Sequence, residues 1–333
     1  MNEFFLGHSD HSEHTEHENL PITTEEEAPR KIITLHASGV ERPHKPTLQS
    51  SPTAVLLIST PDRPGVIAAV TEFITRHGGN IIYVNQHVDS AEFILFMRIE
   101  FETRYFDLPY GIASNTFMEE VTGHKLYFIF RFNSYPTRMA IYVSKTSHCL
   151  YDLLSHYAAK DWNVRIPFII GNHPELEDVA QRFRIPFHHI PTEGRSHEEV
   201  EQEHFELLKT QKINLIVLAR YMQILSPFFT ESYRNKIINI HHSFLPAFAG
   251  PKPYHAAYER GVKLIGATSH YVTSELDAGP IIEQDTVRVT HRDTLKDLIR
   301  KGQELEKVVL SRAVEKRLQH KILLFKNKTI VFD

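Results

Sequence analysis

The chain has 333 residues, 41% hydrophobic and 23% charged, which is enough ordinary globular sequence for two domains and excludes a wholly disordered polypeptide. Its 37 basic and 41 acidic residues leave a net charge of −4, which excludes nucleic-acid binding through bulk charge. A single cysteine, Cys149, excludes an intrachain disulfide framework and any multi-cysteine metal site, and no apolar run is long enough for a membrane-spanning helix.

Residues 1–52 read as a solvated tail, rich in Glu, Ser, Thr and Pro. The first 30 residues carry eight acids against Arg30, unlike a secretory or transit signal, so a cytoplasmic protein is expected. His8, His11, His14 and His17 recur every third residue, but such a composition suits a solvated segment better than a metal site, and no metal is expected. Lys31–His36 has short-strand character.

From Thr53 the pattern changes. Ala54–Ile58 predicts a strand bounded by Pro61-Asp62-Arg63-Pro64-Gly65, and the apolar spacing of Val66–His77 predicts a helix. Strands follow near Ile81–Val88 and Phe93–Phe101, then a helix within Gly111–Thr122 and a strand at Lys125–Phe132. This βαββαβ order predicts a small ferredoxin-like domain over 53–135, ending at Asn133-Ser134-Tyr135-Pro136.

Over 136–333 strands and helices alternate. Strands are expected at Met139–Val143, Arg165–Gly171, Phe187–Ile190 and Ile213–Ala219, and helices at Cys149–Ala159, Pro174–Phe183 and His197–Thr210. That order predicts a doubly wound α/β domain around a mostly parallel sheet. Ligands of such sheets sit beyond the strands' carboxyl ends, here just after Val143, Ile170, Leu218 and Ile240. His197-Glu198-Glu199-Val200-Glu201 lacks the second His of a zincin helix and reads as an exposed charged face. No Walker loop or Gly-x-Gly-x-x-Gly run is present, so no nucleotide cofactor is expected.

The densest chemistry lies in Ile237–Pro246. Asn239 and His241 are the polar exceptions in an apolar strand, and their spacing of two puts them on one face. An amide and an imidazole at a strand end can bind a developing oxyanion and move a proton, although alone they also suit ordinary strand-end polar residues. His270 lies in a second strand-like run, and Asp277 precedes Gly279-Pro280, which alone reads as a turn.

Together, Asn239-Ile240-His241-His242-Ser243-Phe244-Leu245-Pro246, Gly266–His270 and Leu276–Ile282 resemble the formyl-transferring folate enzymes. Leu218–Pro227 is similar to the segment lining their folate pocket. The paired histidines, Pro253–Lys263 and Gly171-Asn172-His173 point to one branch, the formyltetrahydrofolate deformylases. The resemblance covers residues 53–333. It implies a catalytic triad of Asn239, His241 and Asp277, with His270 beside it. It also implies a folate pocket of Arg220, Tyr221, Met222, Gln223, Ile224, Leu225 and Gly279, with the strand ends near Ile170. Gln223 stands where many relatives carry a basic residue.

The implied reaction is hydrolysis of 10-formyltetrahydrofolate to formate and tetrahydrofolate, with folate as substrate and no cofactor. Asn239 and His241 would hold the oxyanion, and Asp277 would hold the water and relay its proton toward N10, with His241 as the alternative donor. Formate would feed purine synthesis and balance the one-carbon folate pools. The alternatives are formyl transfer to an amine and a catalytically inactive binding regulator. Val143–Leu150 lacks the glycines of the related transferases' phosphate loop, which favours water as acceptor. Thr60–Val66 and Gly79-Asn80-Ile81 resemble an ACT domain, which implies amino-acid effectors (glycine inhibiting, methionine activating) and a homo-oligomer.

Overall fold

The computed structural model describes residues 52–121, 126–247 and 253–333. The expectations for the N-terminal tail, its histidine repeat and Lys31–His36 lie outside the described residues.

The smaller domain runs β1 (Thr53–Pro61), α1 (Val66–Arg76), β2 (Asn80–Asp89), β3 (Ile94–Glu102), α2 (Tyr110–Glu120) and β4 (Tyr127–Phe132). Its strands form one antiparallel sheet in the order β2-β3-β1-β4, the ferredoxin-like arrangement. On β1, Ala54, Leu56 and Ile58 pack with Val70, Phe73 and Ile74 of α1. The alternate residues Val55 and Leu57 face a second apolar cluster. Burial on both faces explains why β1 reads as an unbroken apolar run. β2 is an edge strand with most of its residues exposed.

The larger domain continues with β5 (Thr137–Val143), α3 (His148–Ala159), β6 (Val164–Arg165), β7 (Ile169–Gly171), α4 (Glu177–Arg182), β8 (Phe187–His189), α5 (His197–Thr210), β9 (Leu215–Leu218) and α6 (Pro227–Ser232). It ends with β10 (Ile237–His241), α7 (Pro253–Arg260), β11 (Leu264–Tyr271), β12 (Ile281–Arg288), α8 (Leu295–Leu318), β13 (Ile322–Phe325) and β14 (Lys328–Val331). The main sheet has the order β12-β11-β10-β9-β5-β7-β8, with β6 paired to β5. β10, β9, β5, β7 and β8 run parallel, while β11 and β12 are antiparallel additions. The chain leaves β5 toward β7 and β8, then returns to β9 on the other side of β5. The strand order therefore reverses between β5 and β9, the switch point at which open sheets of this kind form a crevice.

Three expectations change. Arg165–Gly171 is two strands, because Pro167 has no N–H to give a ladder. Pro174–Phe183 begins as a 3₁₀ turn over Pro174–Leu176 before α4. The charged start of α5 is not wholly exposed: Glu201 and, a turn on, His204 are buried with Val200 and Leu208. Glu201 accepts from the backbone N–H of Ser226 at 2.7 Å and from its hydroxyl, and Ser226 in turn caps α6. A carboxylate with two strong donors can be buried where a free one cannot.

The C-terminal hairpin β13–β14 packs on the small domain. Leu323 and Phe332 share the second cluster with Val55, Leu57 and Phe96. Beside them the buried Arg98 of β3 donates to the carbonyls of Gln319 and His320, at the end of α8, and pairs with Glu100 at 2.9 Å.

Candidate active site

A cavity of about 340 Å³ opens beyond the carboxyl ends of β9 and β10. One wall is the segment Arg220–Leu225, every residue of which lines it. Two anchors shape that segment. Behind it, the Ser144 hydroxyl, just past β5, donates to Asn172 at 2.7 Å and accepts from the Met222 backbone N–H at 2.9 Å. At its far end Glu201 holds Ser226. Arg220 adopts φ +65°, a left-handed conformation disfavoured for a residue with a Cβ and held by these anchors.

The opposite wall carries Asn239, His241, His270 and Asp277. Asn239 and His270 are direct partners in the antiparallel pairing of β10 with β11, and His241 is opposite Thr268. The Thr268 hydroxyl donates to the Ser243 carbonyl at 2.9 Å and accepts from the Leu245 N–H at 3.0 Å, pinning the chain that leaves His241. Asp277 arrives on the loop from β11 to β12 at φ +54°, a conformation Asp tolerates better than most residues. The loop closes tightly: the Tyr271 N–H donates to the Pro280 carbonyl at 2.9 Å, and a Cβ on Gly279 would stand 1.8 Å from the Tyr271 carbonyl oxygen. Glycine at 279 thus sets the position of Asp277 two residues earlier.

Asp277 bridges two imidazoles. Its Oδ2 lies 3.2 Å from His241 Nδ1 and its Oδ1 lies 3.5 Å from His270 Nε2. Hydrogen bonds from His241 and then His270 hold its carboxyl well below the usual carboxylate range, against the opposing effect of burial. Because a carboxylate only accepts, His241 carries a proton on Nδ1. His241 Nε2 is buried and has no hydrogen-bond partner among the described residues. His270 Nδ1 lies 2.9 Å from the Tyr271 carbonyl and so carries a proton too. Its Nε2 lies between Asn239 Nδ2 at 3.3 Å and the Asp277 carboxylate at 3.5 Å.

A second polar cluster adjoins this wall at the switch point. The Glu306 carboxylate of α8 is fully buried. It meets His148 Nε2 at 2.8 Å, Arg220 Nε at 3.4 Å and the Tyr254 hydroxyl. Burial works to raise the Glu306 carboxyl, but the His148 bond and the Arg220 charge outweigh it, and the net shift is downward. Burial followed by the Glu306 charge drives the Tyr254 hydroxyl strongly upward. Cys149 lies close to His148 and Glu306, in a grouping that resembles metal ligands. Its thiol is pushed up by burial, and the Glu306 oxygens are already engaged, so the set suits a divalent cation poorly.

The structure therefore brings Asn239, His241, His270, Asp277 and Arg220–Leu225 around one cavity. Gly279 lies outside its wall and lines a separate shallow hollow with Leu276, Asp277 and Ala278. Ile170 is core, and the end of β7 acts at one remove, through Asn172 and Ser144. Sequence reasoning passed over Glu306, His148 and Tyr254. The signal was present for Glu306, which falls on the buried stripe Leu298, Gly302, Val309, Ala313 of α8. A charged residue on an apolar stripe calls for a partner.

Comparisons with known proteins agree with this architecture. Residues 137–314 match the formyl transferase family and residues 54–106 the ACT domain family. The fold and site thus define a two-domain protein that joins an ACT module to a formyl-transferase-type sheet. A formyltetrahydrofolate deformylase of Synechocystis sp. is 46% identical over 280 residues, 84% of this chain and 98% of that protein. The crystal structure of a formyltetrahydrofolate deformylase from Pseudomonas syringae pv. tomato superposes with a TM-score of 0.82 and 40% identity, over 86% of this chain and 96% of the other. A phosphoribosylglycinamide formyltransferase from Anaplasma phagocytophilum matches at a TM-score of 0.55 and 31% identity, over 60% of this chain and 95% of its own. The chain belongs to the formyltetrahydrofolate deformylases, a family of hydrolases.

Proposed function

We propose that the chain hydrolyses 10-formyltetrahydrofolate to formate and tetrahydrofolate in the cavity between Arg220–Leu225 and the Asn239–His241–Asp277 group. The observation that carries this reading is His241, held through Nδ1 by Asp277 with its Nε2 unpartnered at the cavity wall. Water attacks the formyl carbon, and the Asn239 amide donates to the oxyanion that forms. A carboxylate held as low as Asp277 is a weak base, so its proton-relay role passes to His241. His241 Nε2 takes the proton of the attacking water and delivers it to N10 as the C–N bond breaks. Asp277 orients His241 and stabilises its charged form, and His270 positions both Asp277 and Asn239. Folate enters as substrate, and these steps use only side chains of the chain and water.

The ACT module supports amino-acid control of turnover. Glycine as inhibitor, methionine as activator and a homo-oligomer complete the reading, together with a cytoplasmic location and use of the formate for purine synthesis and folate balance. Among the described residues no helix is long and apolar enough to cross a membrane. The test is incubation with 10-formyltetrahydrofolate while following formate and tetrahydrofolate, with and without each amino acid at millimolar levels. Equimolar release of both products without any amine is expected. Absence of formate from a folded, folate-binding chain overturns the hydrolytic reading.

A further inference from the structure

Asp277 stands on the loop that joins β11 to β12, and little within that loop fixes it. The Ala278 N–H meets the Glu275 carbonyl only at 3.5 Å, and the Thr273 hydroxyl donates to the same carbonyl at 2.9 Å. Leu276, the residue before Asp277, is 68% exposed, and a hollow of about 550 Å³ borders the stretch Leu276–Gly279. Close packing therefore does not hold the loop on that side. Yet Asp277 keeps a left-handed backbone and sets its two oxygens against two imidazoles, a geometry that persists only where the surroundings enforce it.

The support comes from the far end of the chain. The β13–β14 hairpin turns on Lys326 and Asn327. Asn327 Nδ2 donates to the Ala278 carbonyl at 3.0 Å, one residue from Asp277. Two residues on, the Thr329 hydroxyl donates to the Ile281 carbonyl at 2.6 Å, where β12 begins. These bonds grip the chain on either side of Gly279-Pro280. Between Thr273 and Gly279, the Asp277 carboxylate aside, the Asn327 bond is the one hydrogen bond that reaches the loop from outside it among the described residues. The hairpin is a firm mount for that bond. Leu323 packs with Val55, Leu57 and Phe96 of the small domain, the Phe325 ring meets Phe96 edge-on at 5.1 Å, and Ile322 enters the core of the larger domain. Lys326 also pairs with Glu92, but both side chains are about half exposed and the pair contributes little beside the buried residues.

We propose that Asn327 is a positioning residue for the hydrolytic site: through the Ala278 carbonyl it fixes the loop that presents Asp277 to His241 and His270. The proposal rests on the hydrolytic reading for its effect on turnover, while the positioning itself is a property of the free protein. Asn327 lines no part of the cavity and acts only through Asp277.

The experiment uses the native full-length chain, Asn327→Ala and Asn327→Asp, each with and without Asp277→Asn. Asparagine and aspartate both suit a turn, so Asn327→Asp keeps the turn and replaces the donor by an acceptor. The first readout needs no substrate: heteronuclear NMR of the His241 ring N–H, assigned by its loss in His241→Ala. In both Asn327 variants that signal should shift or broaden, while the urea midpoint stays near native because the bond lies at the surface. A native His241 signal in both variants overturns the proposal. The second readout is formate release from 10-formyltetrahydrofolate. Each Asn327 variant should lower kcat about tenfold and change KM by about twofold at most, since a small misplacement of an aligned group costs rate rather than binding. In the Asp277→Asn background the same change should cost about twofold or less, because nothing remains to be positioned. A tenfold loss repeated in that background overturns the proposal, and so does a loss carried by KM. A native chain that releases no tetrahydrofolate refutes the hydrolytic reading instead, and the His241 signal still decides the positioning.

Discussion

Asp277 Oδ2 lies 3.2 Å from His241 Nδ1, although the two residues come from different strand ends and are joined only by the fold. The contact fixes the proton on Nδ1 and leaves Nε2 without a partner among the described residues, the nitrogen to which the proposed mechanism gives the proton transfer.

That relationship makes Asp277→Asn and His241→Ala informative variants. Each should lower kcat by about 10²–10⁴-fold, the range for a lost acid–base group. Folate affinity, which the proposed function assigns to the Arg220–Leu225 wall, should change little. Near-native turnover in either variant would dismiss the assignment of His241 and its carboxylate.

Asn239→Ala tests the oxyanion donor separately. A loss of about 10²–10³-fold in kcat is expected, with KM nearly unchanged. A rise in KM at constant kcat would show that Asn239 binds the substrate rather than its transition state.

Gly279→Ala should cost activity although residue 279 itself lies outside the cavity wall. The added methyl meets the Tyr271 carbonyl oxygen, so the loop must move and carry Asp277 with it. Overpacking of this kind costs about 1–3 kcal/mol. Urea denaturation and turnover should both register the change, and a variant as stable and active as the native chain contradicts the close approach.

His204 gives the pH dependence of stability a specific source. It is buried against Tyr142, Tyr221 and Phe229, and neither ring nitrogen has a hydrogen-bond partner among the described residues. Burial lowers its pKa from 6.5 to about 4. Between those values the unfolded chain binds the proton and the folded chain does not, so stability falls as pH falls from 6.5 toward 4. The loss reaches about 3 kcal/mol at the acid end of the window, and above it this residue contributes nothing. His320, lowered by burial to about 3, acts in the same direction. His204→Phe should reduce the acid loss while keeping stability at pH 7 at or above the native level. Unchanged acid sensitivity would remove His204 as a cause.

Much of this architecture is legible in sequence because periodicity reports burial. The βαββαβ order, the central strands of the larger sheet and the Asn239–His241 face all follow from spacing. Direction and distance are less visible. Nothing local to Gly266–Tyr271 states that β11 runs antiparallel to β10, yet that pairing is what sets His270 against Asn239. Tyr254 and Glu306 are separated by 52 residues and meet only through helix packing. Pro167 shows the converse case, a local signal that was readable and that splits one expected strand into two.

The hairpin β13–β14 separates two meanings of the word domain. By family pattern the chain divides into segments 54–106 and 137–314, and the last residues belong to neither. Physically those residues also serve the first segment: Leu323 and Phe332 complete a core begun by Val55, Leu57 and Phe96, while Ile322 packs into the core of the larger domain. The modules that evolution shuffles are therefore not the pieces that can be cut. Excising the amino-terminal module would strip cover from the carboxyl-terminal hairpin, and trimming the carboxyl end would bare the far face of the amino-terminal sheet. The two ends of the described chain stand or fall together, and any graft that moves one module must carry the other's last strands with it.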